Sequence, residues 1–285
     1  MERIQMSMLK EKLNILHSNQ QKIDIIHAFF NDQRFTYIEP ELLTRTKDFI
    51  ANNPSVSEEK LIQLSLRDGM NYVLRPDITT MILQSFVPLM SHDETLQVYY
   101  RASSYRQSSL GLKKYDQLGY EIIGEVNIAE EIKRLATLSK LFHKKITFII
   151  GYPSIINEVI TFKKMSKTIR QAIKNKSLTN LKQLLDDKTY RQILPFFNGN
   201  ALIKDERLSV LYQLKDSFEF QLDLSLMPQY DYYTGIYIVG YMEGYPQPIL
   251  FGGAYDQRMK QFDKEMQAFG ISMSLDMVFK ELKSC

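Results

Sequence analysis

Apolar residues at helical spacing open the chain: Met8, Leu9, Leu13 and Leu16, then Ile23, Ile25, Ile26, Phe29 and Phe30. That period predicts an amphipathic helix. Arg34-Phe-Thr-Tyr-Ile-Glu-Pro40 reads as a short strand stopped by proline, and a second helix is expected before residue 60. Two apolar runs at 61–66 and 72–76 flank the polar turn Arg67-Asp-Gly-Met-Asn71, a hairpin signature. A helix is predicted over 79–90, with Asp77 or Thr79 suited to cap it. Strands are expected at 96–101 and 115–123, separated by a polar loop at 107–114. The helical period returns from Ile128, and Ile146-Thr-Phe-Ile-Ile150 reads as a short buried strand. Residues 152–215 are helical in pattern. Three strands follow, around Leu224, Ile238 and Ile249, and a strand–helix pair at 268–283 closes the chain.

Successive strands joined by tight polar connections predict an α+β domain, an antiparallel sheet flanked by helices. The whole of 1–285 reads as one domain carrying a helical insertion at about 152–215. A doubly wound parallel sheet would need regular strand–helix alternation, and the sequence has neither that nor a Walker loop or dinucleotide fingerprint.

Composition narrows the function classes. With 44% hydrophobic and 24% charged residues, the 285-residue chain is of ordinary soluble type, and its net charge of +3 is too small to imply nucleic-acid binding. The only cysteine, Cys285, is the last residue, which removes a disulfide framework and any cysteine metal cluster and fits a reducing cytoplasm. His17, His27, His92 and His143 show no metal-ligand spacing, so no metal or cofactor is expected. No apolar leader or membrane-length run is present, and the expectation is a cytoplasmic protein without a membrane partner. Between 152 and 200 lie nine Lys/Arg against three Asp/Glu. Aromatics are not interleaved with these cations, so a solvated helix face is favoured over an RNA surface. The thirteen methionines read as core filler.

Four segments put polar groups at strand ends: Leu74-Arg-Pro-Asp-Ile-Thr79; Tyr105-Arg106 with Asp116-Gln-Leu-Gly-Tyr-Glu121; Asp231-Tyr-Tyr-Thr-Gly235; and Phe251-Gly-Gly-Ala-Tyr-Asp256. The strand period of two places Gln117, Gly119 and Glu121 on one face. A carboxylate there needs a cation or several donors, which makes Glu121 and Asp77 candidates for holding an ammonium or imidazolium. Arg75 is either a surface residue or an ion-pair partner of Glu121. Asp231 either braces a turn or touches ligand. Tyr232 and Tyr233 are read as alternating on a strand, one of them in plain packing, and Gly252-Gly253 as a bulge or tight turn.

In this order the four segments resemble the catalytic core of class II aminoacyl-tRNA synthetases, specifically histidyl-tRNA synthetase. Leu74-Arg-Pro-Asp-Ile-Thr79 is similar to that family's Leu-Arg-Pro-Glu-Gly-Thr, and Tyr105-Arg106 to the motif 2 Phe-Arg. Asp231-Tyr-Tyr-Thr-Gly235 matches the end of the signature Arg-Gly-Leu-Asp-Tyr-Tyr-Thr-Gly, and Gly252-Gly-Ala-Tyr255 matches Gly-Gly-Arg-Tyr. Gln117 and Glu121 fall on the histidine-binding Gln and Glu that follow motif 2 in that family, so the likeness spans roughly residues 10–283 and rests on five motifs in register, each weak alone.

The departures matter as much. The signature arginine aligns with Pro228, the adenine-reading glutamate with Ser108, the motif 3 arginine with Met277, and the arginine of Gly-Gly-Arg-Tyr with Ala254. Adenylate formation develops charge that needs preorganised cations, each worth roughly 10²–10³ in rate. The chain also ends just after motif 3, so no anticodon-binding domain is expected. A retained amino-acid pocket without the ATP and tRNA apparatus is similar to the synthetase-like regulatory subunits of short-form ATP phosphoribosyltransferases. That resemblance implies no catalytic residue and a role in the first step of histidine biosynthesis, with feedback inhibition by L-histidine. It also implies a homodimer within a hetero-oligomer, a hetero-octamer, with the short catalytic subunit. For the ligand it implies Asp77 and Glu121 at the cationic ends and Gln117 at the amino group. Tyr232, Tyr233 and Tyr255 would wall the ring, with Thr79 and Arg106 at the amino-acid backbone. A residual histidine-activating or amino-acid ligase enzyme is the alternative.

Overall fold

The computed structural model describes residues 2–53, 56–109, 111–160, 165–198, 203–215, 218–228 and 232–282, with side chains from residue 9 onward. The predicted opening helix is α1 (Glu2–Asp32), followed by β1 (Thr36–Ile38), β2 (Leu43–Arg45) and α2 (Thr46–Asn52). β3 (Gln63–Ser65) and β4 (Asn71–Leu74) form the predicted hairpin, and β2 joins them in a three-stranded sheet. α3 (Ile78–Phe86) then begins at Asp77, whose carboxylate accepts from the Thr80 amide at 2.7 Å and the Thr80 hydroxyl at 2.6 Å. Asp77 is therefore the N-cap, satisfying one of the first-turn donors that the helix leaves open.

β5 (Leu96–Ser108) and β6 (Gly111–Gly124) make a long hairpin at the centre of an eight-stranded sheet. The expected loop at 107–114 is instead largely paired strand, since Arg106 lies opposite Lys113, Gln107 opposite Leu112 and Ser108 opposite Gly111. These residues are polar because this end of the ribbon is solvated. α4 (Ile128–Ser139), β7 (Ile146–Gly151) and α5 (Pro153–Val159) follow, then short helices at Lys167–Lys174, Leu178–Leu184, Asp187–Ile193 and Ser209–Leu214. β8 is only Phe220–Leu222, and Leu224 lies in the turn beyond it. β9 (Tyr237–Met242), β10 (Leu250–Ala254), β11 (Gln267–Ser274) and α6 (Leu275–Glu281) complete the fold.

The strand order is β1-β5-β6-β11-β10-β9-β7-β8. The inner pairings are antiparallel as expected, but both edges are parallel, β1 on β5 and β8 on β7. The sheet is thus mixed. The short helices described between 153 and 214 lie in sequence between the parallel neighbours β7 and β8, a pairing that needs a long crossover.

Both faces of the sheet are buried. Tyr120, Ile122, Phe148, Ile150, Ile238 and Phe269 pack toward α1, α4 and the helical stretch. On the other face Val98, Tyr100, Ile123, Tyr237, Val239 and Ala268 meet α3, Tyr232, Tyr233 and the 3-10 turn Asp256–Phe262. That second face carries the polar groups.

Candidate functional site

Period two on β6 sends Leu118, Tyr120 and Ile122 to the helical side and leaves Gln117, Gly119 and Glu121 on the second face. Glu121 is 1% exposed. Its Oε1 accepts from the Thr79 hydroxyl at 2.6 Å and its Oε2 from the Tyr255 hydroxyl at 2.6 Å. Burial pushes its carboxyl up to about 8; the two hydroxyls oppose that rise, the charge of Asp77 adds to it and Arg258 opposes it. The Tyr255 phenol is held well above its ordinary range by burial and by Glu121, so it remains a donor. Among the described residues no cation makes a hydrogen bond or ion pair with this carboxylate. Two hydroxyls satisfy it, which lowers the cost of its burial.

Space for Glu121 comes from Gly270, its register partner on β11. A Cβ at Gly270 would lie 1.7 Å from Glu121 Oε2. Gly252 and Gly253 are paired strand rather than a bulge or turn, because neighbouring backbone crowds both. A Cβ would come within 2.0 Å of the Gly270 carbonyl at the former and the Ile236 carbonyl at the latter, and Gly253 has φ of 152°.

Above this floor Asp77, Thr79, Tyr100, Arg106, Gln117, Tyr232, Tyr233, Phe251 and Ser272 line a narrow groove with Pro76, Ile78 and Ser104. In this conformation its open space is about that of one water molecule. Arg106 donates from Nε at 3.3 Å and Nη2 at 3.2 Å to the Pro76 carbonyl. Tyr232 and Tyr233 precede β9 instead of alternating on a strand. Their rings stand 4.6 Å apart, and Tyr233 is buried against Tyr237 and Tyr255, which makes it chiefly packing. Six of the eight sequence-derived candidates line the groove, and the other two, Glu121 and Tyr255, form its floor. Of those six, Asp77 divides its carboxylate between the groove and the cap of α3.

Arg75 makes no ion pair with Glu121. Buried, it donates to the carbonyls of Pro40, Ser103 at 2.7 Å and Glu41 at 3.2 Å, clamping the chain after β1 to β5. Asp231 lies outside the described residues. Pro228 and Ala254 are buried, and Met277 packs beside the core on the helical face. Ser108 donates to the Gly111 carbonyl at 2.9 Å within its own turn. No cation of a nucleotide site stands at any of these four positions.

Arg258 went unread in the sequence. In Asp256-Gln-Arg-Met-Lys-Gln-Phe262 it resembles a solvated loop cation, yet it is 3% exposed. Nη2 donates to Asn53 Oδ1 at 3.1 Å and Thr80 Oγ1 at 2.9 Å, while Nη1 stands 3.8 Å from Asp77 Oδ1. Its guanidinium lies over the Tyr232 ring at 4.7 Å. Among the described residues no group of His, Cys, Asp and Glu is arranged to hold a metal ion, and no helix is long and apolar enough to cross a membrane.

The family model for histidyl-tRNA synthetase matches residues 20–278. Curated relatives include an ATP phosphoribosyltransferase regulatory subunit of Clostridium novyi, 28% identical, over 85% of this chain and 68% of the relative. One of the same name from Bacillus cereus is 24% identical over 96% of this chain and 74% of the relative. Among solved structures, an ATP phosphoribosyltransferase regulatory subunit/histidyl-tRNA synthetase from Bacillus halodurans superposes with TM-score 0.75 at 20% identity, covering 94% of this chain and 80% of the other. The ATP phosphoribosyl transferase (HisG:HisZ) complex from Thermotoga maritima gives 0.68 at 17%, covering 89% and 96%. These two likenesses are likenesses of fold.

Proposed function

The chain belongs to the histidyl-tRNA synthetase family, and from that membership we propose that it is a non-catalytic regulatory subunit of ATP phosphoribosyltransferase that senses L-histidine. The observation that carries this reading is a groove lined by Asp77, Arg106, Gln117 and Tyr232 in a chain that has Pro228, Ala254, Met277 and Ser108 where the resemblance expects nucleotide-binding charge. Curated relatives bearing the regulatory-subunit name support it.

In this reading Asp77 faces the ligand ammonium, Gln117 accepts from it, Arg106 meets the carboxylate and Tyr232 covers the imidazole. Glu121, Thr79 and Tyr255 act as one hydrogen-bonded floor. Since the groove is nearly closed, ligand entry requires its walls to part. A closed and an open state with different affinities are what allostery requires, because a ligand shifts an equilibrium only by binding one state better. The partner is a short catalytic subunit in a hetero-oligomer, within which this chain forms a homodimer, and the compartment is the cytoplasm.

Mixing the purified chain with a short-form catalytic subunit tests the proposal. ATP phosphoribosyltransferase activity is expected to rise on addition of the chain and to fall when histidine is then added. Absence of both effects would sink it. ATP–pyrophosphate exchange with histidine is expected to be blank, and exchange above background would instead favour residual amino-acid activation.

A further inference from the structure

Arg258 is the buried charge whose role the groove does not yet explain. Its side chain ties together three separate elements: Asn53 closing α2, Thr80 in the first turn of α3, and Tyr232 beside the groove. Two of its neighbours, Asp77 and Tyr232, line the groove directly. Its Nη1 is buried and makes no hydrogen bond among the described residues, although Asp77 Oδ1 stands 3.8 Å away. A buried guanidinium donor left open is costly, and in native structures such a group calls for a reason. The carboxylate nearest to it is already engaged by the Thr80 amide and hydroxyl.

We propose that Arg258 is a specificity-determining positioning residue: its fixed positive charge behind Asp77 and Tyr232 makes the groove favour a ligand that carries a carboxylate over the same ligand without one. The physical basis is charge accounting in a poorly solvated site. Asp77 supplies one negative charge for a ligand ammonium. Without Arg258 that charge is opposed within the groove only by Arg106, and the pull on any amine is stronger. With Arg258 beside it, an amine alone finds the attraction largely cancelled, whereas a zwitterion gains a favourable field at its carboxylate. Arg258 acts through its field and through the placement of Asp77 and Tyr232, without touching the ligand.

This inference rests on the amino-acid reading of the groove, and the test separates the two. Calorimetric affinities for L-histidine and for histamine, which lacks the carboxylate, are measured on the full chain and on Arg258→Met and Arg258→Lys. Wild type is expected to prefer histidine, Arg258→Lys to keep that preference, and Arg258→Met to lose roughly tenfold of it. Asp77→Asn, which keeps a capping side chain, is expected to move the ratio the opposite way and gives the answer should Arg258→Met not fold. A structural role alone weakens both ligands together, so an unchanged ratio in Arg258→Met, or in Asp77→Asn if that variant is the one that folds, overturns the inference. Wild-type protein that binds neither ligand overturns the amino-acid reading and this inference with it.

Discussion

At the scale of single residues, the site is governed by what burial does to charge. Glu121 is a carboxyl whose proton is retained near neutrality because the surrounding core solvates the anion poorly. Below about pH 4.5, its ordinary value, the group is protonated in both the folded and the unfolded chain. Between there and about 8 only the unfolded chain gives up the proton, so folding stability falls as pH rises, by up to about 1.4 kcal/mol per unit. Denaturant midpoints are therefore expected to drop from pH 6 to pH 8.5 in wild type, and Glu121→Gln is expected to flatten that drop. An equal slope in the variant would count against a buried protonated carboxyl. Glu121 and Gln117 were readable beforehand, because strand periodicity alone puts them on one face. Gly270 and Arg258 were not. A glycine shows nothing of the side chain it makes room for, and an arginine in a polar turn shows nothing of the elements that will close over it.

Among elements, the hydrophobic period carried much of the fold. It marked α1, the β3–β4 hairpin, α4 and the β11–α6 pair because each buries one face against its near neighbours. It failed where pairing is decided at long range. The parallel edges β1 and β8 are three residues each, too short to display an alternation, and their partners come from distant sequence. Asp77 belongs to this scale as well, since one carboxylate both starts α3 and faces the groove. Asp77→Ala is expected to cost about 1 kcal/mol of stability, the usual loss on removing a cap, and Asp77→Asn much less. Histidine affinity is expected to fall in both. Thermal or denaturant unfolding read beside calorimetry distinguishes the cap from the charge, and equal stability losses in the two variants would contradict this division.

For the molecule as a whole, the three-stranded sheet and the large sheet are held together by Arg75, which satisfies carbonyls on either side of the join. Its backbone adds to the seam, donating to the Leu42 carbonyl and accepting from the Tyr105 amide. Arg75→Met leaves the buried Pro40 carbonyl unmet and removes the part-buried bonds to Ser103 and Glu41, and a loss of roughly 2–4 kcal/mol is expected by chemical denaturation. A loss under about 0.5 kcal/mol would mean that the seam is held elsewhere. The proton on Glu121 has one more consequence, and it concerns exchange with the solvent. An ammonium lodged over Asp77 makes the anion of Glu121 easier to form, so ligand capture near pH 7 is accompanied by discharge of a fraction of a proton into the buffer. The heat of binding then varies with the ionisation enthalpy of the buffer chosen, and its slope across phosphate, imidazole and Tris counts the protons set free. In Glu121→Gln that slope is expected to shrink toward zero, leaving the protein able to hold its ligand while no longer reporting the event as acid.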